Sequence, residues 1–201
     1  MKLELETKST RDAILDATDV LLAKHGYKNM TIDHLADEVG IGKGSVYLHF
    51  SSKEEIALSH IDRIIERIKN ALVAISQEKS AVDDRLRNML LERVLLRYDS
   101  TQHYTQSLNE LLAYLRPKLL ERRKHYFEEE AQLLASVIAE GQKEKRFAAG
   151  DHLDLARTMV TATNSLLPYS LSALELGDRD EIVDRVHKTA DLMIKGLSLG
   201  A

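Results

Sequence analysis

The chain has 201 residues, of which 30% are charged and 5% aromatic, with two prolines, nine glycines and no cysteine. Lacking cysteine, it can build no disulfide, thiolate metal site or cysteine nucleophile, and no apolar run approaches the roughly 20 residues needed to span a bilayer. A formal net charge of −4 argues against a nonspecific polyanion binder, so any nucleic-acid contact has to come from a local basic stripe.

Leu, Ala, Glu, Lys and Ile dominate and helix breakers are few, a makeup that predicts an all-α protein of about nine helices. The N-terminal segment alternates charged and apolar residues, which predicts no signal peptide and a cytoplasmic location. The first helix is expected from about Thr10 to His25, where Ile14, Ala17, Thr18 and Leu21 fall on one face and Gly26 supplies the stop. Thr31 then caps a second helix whose Ile32, Leu35, Ala36 and Val39 repeat the same spacing, and Gly40 ends it. A short third helix follows from about Lys43 to Phe50.

Ser52 caps a long fourth helix that carries Glu54 and Glu55 in its first turn, at the positive end of the helix dipole. Its apolar stripe is Ile61, Ile64, Ile65, Ile68 and Leu72. Further helices are expected at about 82–98, 102–115, 117–145, 152–176 and 179–198, with Pro117 in a first turn and Asp151 and Asp178 as caps. Gly177 separates the last two. Pro168 sits inside an otherwise helical stretch and predicts a kink, either a packing feature or a bend that opens space for a ligand. The run Glu121-Arg122-Arg123-Lys124, followed by Glu128-Glu129-Glu130, reads as a solvated face.

Residues 31–50 carry the strongest signal: two helices joined by a short glycine-containing turn, a helix-turn-helix. Ala36 is small where the second helix crosses, Gly40 suits a left-handed turn, and Val39, Ile41 and Val46 are candidates for the core between the helices. Lys43, Ser45, Tyr47 and His49 then point outward as donors for phosphates and base edges. Gly40 to Lys53 holds two lysines, a histidine and no acid, whereas the first 60 residues together hold seven Lys/Arg against ten Asp/Glu.

The run from Thr31 to Lys53 (TIDHLADEVGIGKGSVYLHFSSK) resembles the signature of TetR-family repressors. In that family a threonine-capped helix, a glycine turn, a recognition helix with an aromatic–x–His–Phe sequence and a following lysine occur in this order. The resemblance implies a DNA-binding domain at residues 1–52 and a ligand-binding and dimerisation domain at 53–201. It implies that Thr31 bonds a phosphate, that Lys43, Gly44 and Ser45 lead the recognition helix into the major groove, and that Tyr47 and His49 contact phosphate. Lys53 is implied to reach the DNA backbone. Leu48 departs from the family, many of whose members carry an aromatic residue there.

From about Asp83 onward no nucleic-acid signal remains. The amphipathic helices could enclose an apolar cavity with a few polar groups, as a small-molecule site requires. Candidates to line it are Ile64, Leu90, His103, Tyr104, Tyr114, Tyr126, Asn164 and Pro168. Leu155, Met159 and Leu166, then Ile182, Val186 and Met193, form long stripes on the last two helices. The resemblance implies that these helices build a four-helix interface between two copies. Scattered histidines with no i, i+4 pair predict no metal site, and no cofactor or enzymatic motif stands out. The reading is a repressor that leaves a palindromic operator when a small molecule binds. The alternative is a ligand-independent architectural or cell-division factor on the same fold.

Overall fold

The structure, a computed structural model, describes residues 9–102, 105–168 and 177–198, and for 105–109 the backbone alone. Among the described residues stand eight α-helices: α1 (Thr10–Asn29), α2 (Ile32–Val39), α3 (Lys43–His49), α4 (Lys53–Ser76), α5 (Val82–Thr101), α6 (Thr105–Lys143), α7 (His152–Thr163) and α8 (Arg179–Leu197). A 3-10 turn at Asn164–Leu166 follows α7. The fold is all-α, and the one β-type contact among these residues is a bridge between Phe147 and Ser198. Two compact units are present: residues 1–63 with 103–116, and residues 64–102 with 117–201.

In the first unit, the Ser9 side chain accepts a bond from the Asp12 N–H and starts α1. Gly26, at φ +69°, breaks the helix where the sequence places its stop, and only Tyr27 to Asn29 continue in helical form. α1 lies on α2 and α2 on α3. The core so formed buries Ile14, Leu15, Leu22, Met30, Leu35, Val46 and Phe50 almost completely. At about 1.5–3 kcal/mol for each large apolar side chain removed from water, this core holds together helices too short to persist alone.

In the second unit, α5 lies along α8 and α7 lies against both. Val94, Leu95 and Tyr98 of α5 form one apolar cluster with Leu167, Ile182 and Val186. The Tyr98 hydroxyl donates to the Gly177 carbonyl at 3.1 Å. Asp178 starts α8 with a reciprocal capping box to Glu181, and Asp151 caps α7 by accepting from the Leu153 and Asp154 N–H groups.

Two expectations about helix ends are corrected. Residues 102–115 and 117–145 do not form separate helices: α6 runs unbroken from Thr105 to Lys143 with Pro117 inside it. The helix forgoes one backbone bond at Pro117 and continues because long flanking stretches on both sides are helical. The helix expected at 152–176 ends at Thr163 instead. Pro168 forces the residue before it out of the helical region, and Leu167 is extended at φ −85° and ψ 148°. The chain therefore tightens into a 3-10 turn and leaves the helix, rather than bending within it; residues 169–176 lie outside the described set.

A third correction concerns the acidic run 128–130. Its members are not a solvated face: Glu128 pairs with Arg157 and Glu129 with Lys69, and Glu130 is fully buried. Glu130 Oε2 accepts from Arg93 Nε at 2.9 Å, and Oε1 accepts from the Arg97 guanidinium. Arg93 and Arg97 are themselves buried, one turn apart on α5. Burial alone would push the Glu130 carboxyl up, but the two guanidiniums outweigh it and hold the group below its ordinary range.

The cluster yields a stability prediction. Glu130→Ala leaves two buried cations without a counter-ion and is expected to cost about 3–5 kcal/mol in urea denaturation. Because the folded-state pKa of Glu130 is depressed, its contribution is complete above the ordinary glutamate range and is lost as pH falls through the folded value. The variant should therefore show a shallower loss of stability on acidification than the wild type; equal acid limbs would refute the assignment.

Candidate nucleic-acid interface

The helix-turn-helix is assembled by local chemistry at each junction. Thr31 is extended (φ −123°, ψ 163°), and its hydroxyl oxygen accepts from the His34 N–H at 3.1 Å, satisfying one open donor at the start of α2. Gly40 sits at φ +74°, ψ 35°, a left-handed conformation that would strain any other residue, and the Ile41 N–H closes onto the Ala36 carbonyl at 2.9 Å. α3 then begins at Lys43 after an extended Gly42.

Only Val46 of α3 is buried, with Phe50 just beyond its end; Val39 and Ile41 are half-buried. These contacts fix which face of α3 is free. Lys43, Gly44, Tyr47, Leu48 and His49 are exposed and Ser45 is half-buried, so the candidates expected on this helix share one open surface. Tyr47 is 50% and Leu48 84% exposed, which leaves two large side chains projecting from a seven-residue helix. A Cβ added to Gly44 would meet nothing within 4 Å. Nothing among the described residues asks for glycine at that position, although glycine costs about 0.5–1 kcal/mol within a helix.

Two lysines of the expected interface are engaged within the chain. Lys43 Nζ lies 2.8 Å from Asp33 Oδ2, and that hydrogen bond raises its pKa. Both groups are well exposed, so the pair is weak and open to exchange with another anion. Lys53 is placed differently. Its Nζ donates to the Tyr27 carbonyl at 2.9 Å and the Lys28 carbonyl at 3.1 Å, and stands 4.6 Å from the centre of the Tyr27 ring. Desolvation lowers its pKa. Lys53 thus ties the start of α4 to the end of α1, with one ammonium donor left for any outside group.

Sequence reading missed two neighbours of this surface. Asp33 lies ten residues before its partner Lys43, and only the turn between α2 and α3 brings them together. The Arg11 guanidinium stands 4.9 Å from the Phe50 ring, placing a cation of α1 beside the end of α3.

The other candidates divide between the units. Tyr114 belongs to the first, where its exposed ring lies 5.6 Å from that of Tyr27. Ile64, Leu90, Tyr126, Asn164 and Pro168 belong to the second. Ile64, Leu90 and Pro168 are buried, Tyr126 is half-buried, and Asn164 Oδ1 accepts from Arg93 at 3.0 Å. His103 and Tyr104 lie outside the described residues. Of the interface candidates, Met159, Ile182 and Val186 are buried within their own chain, while Leu155, Leu166 and Met193 are half-buried. The large apolar residue left exposed on α8 is Leu192, at 74%.

Residues 14–59 match the family model for bacterial regulatory proteins of the tetR family. The fatty acid metabolism regulator protein of Bacillus subtilis (strain 168) is 24% identical over 192 residues, covering 92% of this chain and 93% of its own. The biofilm operon negative transcriptional regulator IcaR of Staphylococcus aureus is 29% identical over 102 residues, 50% of this chain and 53% of its own. A TetR transcription regulator from Haloarcula marismortui has the same fold, with a TM-score of 0.74 at 23% identity, covering 94% of this chain and 97% of the other.

A helix-turn-helix with an open third helix, followed by a larger helical unit, defines a DNA-binding transcriptional regulator. Residues 14–59 match the DNA-binding segment of the TetR family, and the chain as a whole has the fold of a solved TetR regulator.

The contrast between the two lysines is testable. Lys43→Ala should weaken operator binding roughly ten- to a hundredfold in a fluorescence titration and leave the melting temperature unchanged. Lys53→Met should lower the melting temperature of the first unit, because two carbonyls lose their donor. A Lys53→Met protein as heat-stable as the wild type would show that the clamp onto Tyr27 and Lys28 is not needed for folding.

Proposed function

We propose that the protein is a ligand-responsive repressor: a cytoplasmic homodimer that occupies a palindromic operator through residues 1–52 and leaves it when a small molecule binds within 53–201. The observation that carries this reading is the free face of α3, where Lys43, Gly44, Ser45, Tyr47 and His49 stand together with no packing role for Gly44. Lysine suits guanine O6 and N7, and a glycine lets the helix backbone come close to the groove floor. Thr31, at the start of α2, is in place to meet a phosphate along with the open N–H groups there.

Two-fold pairing follows from the target. A major-groove helix reads only a few bases, so specificity requires two copies spaced by one DNA turn, roughly 34–36 Å. Exposed Leu192 and half-buried Leu155, Leu166 and Met193 on α7, its following turn and α8 offer apolar surface for that pairing. Control by a ligand draws on two helices that have residues in both units, α4 and α6. The names of the relatives, a metabolic regulator and a negative regulator, agree with repression.

The direct test is mobility shift on the DNA flanking the protein's own gene at two salt concentrations. Two protomers on one palindromic site, with affinity that falls steeply as salt rises, is the expected result. Weak binding that is equal on every DNA would overturn the repressor reading in favour of an architectural protein. By linkage, saturating operator must weaken the inducer's affinity by the same factor that the inducer weakens DNA binding, and a ligand affinity unchanged by saturating operator would overturn the control by ligand.

A further inference from the structure

The buried cluster of the second unit is out of electrical balance. Arg93 and Arg97 carry two positive charges, and among the described residues Glu130 is the single acid bonded to them. Arginine does not give up its proton, so one positive charge remains in the interior. Their other partners among the described residues are all neutral: Thr163 Oγ1 and Asn164 Oδ1 accept from Arg93, and the Arg93 carbonyl accepts from Arg97. Arg97 Nε is buried with no acceptor among the described residues. Arg123 adds to the local positive potential rather than relieving it.

The setting suits an incoming ligand. Thr163 is the last residue of α7 and Asn164 opens the 3-10 turn, so both neutral acceptors stand where the helix ends and the backbone yields most cheaply. Asn164 is only half-buried, which puts the guanidiniums one residue from the surface. The flanks are apolar. Leu90 and Leu134, each within one turn of Arg93 and Glu130, are fully buried, and the Phe127 ring lies 5.8 Å from the Arg93 guanidinium.

We propose that Arg93, with the charge of Arg97 one turn away, receives the carboxylate of a small organic acid with an apolar body, which takes the places now held by Thr163 Oγ1 and Asn164 Oδ1. A monocarboxylate supplies the one negative charge that is missing, so an ion pair stands where a hydroxyl and an amide oxygen accept from the guanidinium now. A phosphate dianion overshoots the balance by one charge. The assignment rests on the reading of residues 53–201 as the effector-binding part and names the class of effector.

The test uses the full chain, with octanoate as probe and octanamide, its neutral isostere, as control. At ten times its Kd, octanoate should raise the melting temperature by about 3–6 °C, and octanamide should raise it little. Arg97→Met removes the excess charge and leaves a balanced Arg93–Glu130 pair, so this variant should be at least as stable as the wild type without ligand and should lose the octanoate shift. Equal shifts from the two probes, no octanoate shift, or a full shift in Arg97→Met would each overturn the proposal. So would a marked loss of stability in ligand-free Arg97→Met, which would make Arg97 a structural tie. Mobility shift on the wild-type protein reads the repressor function separately, so its failure is distinguishable from a failure here.

Discussion

One carboxylate shared by two guanidiniums organises the second unit. Glu130 comes from α6, Arg93 and Arg97 from α5, and the acceptors that complete the shell from the end of α7. A buried ion cluster of this kind adds little net stability, because the cost of drying the charges offsets most of their attraction. What it does is forbid alternatives. Sliding α6 by one residue would rotate Glu130 away from α5 and strand charges that cannot be neutralised cheaply. The apolar cluster of Val94, Leu95, Tyr98, Leu167, Ile182 and Val186 supplies the cohesion, and the ionic cluster fixes the register in which that cohesion is realised.

The first unit solves a different problem. Its task is to leave a surface bare, so its interior contacts are confined to the opposite side of each short helix. Val46 and Phe50 anchor α3 from beneath, the left-handed Gly40 sets the angle of its approach, and the Lys53 ammonium pins α4 to the end of α1. The exposed row on α3 is the remainder after this anchoring. Lys43 is not wholly bare, since Asp33 holds it by an exposed pair that another anion can displace.

Most helix starts and turns were legible in the sequence because they depend on neighbours a few residues away. Thr31, Gly40, Asp151, Asp178 and Gly26 each act on the backbone within one turn of themselves, and each stands where local chemistry puts it. Pro117 and Pro168 were harder, because the outcome depends on what the flanking residues can sustain: α6 absorbs one missing bond, whereas α7 ends at Thr163 and Leu167 before Pro168 is extended. Glu130 was misread for a third reason. Its partners lie 33 and 37 residues earlier, and its acidic neighbours suggested water. A signal was present nonetheless, since Glu130 falls three residues after Phe127 and four before Leu134, on the apolar face of α6. For α8 the periodicity was readable but not which surface would cover Ile182 and Val186, and α5 of the same chain does so.

The brevity of α3 has a consequence for genetics. Seven residues with a glycine among them do not hold a helix in water, so the open face of α3 exists only while Val46 and Phe50 stay docked. A screen for alleles that have lost repression will therefore collect changes at Leu35, Val46 and Phe50 as readily as changes at Lys43 or Tyr47. Such a map, taken at face value, would draw the interface too large. Only alleles whose protein still melts like the parent mark residues that touch DNA.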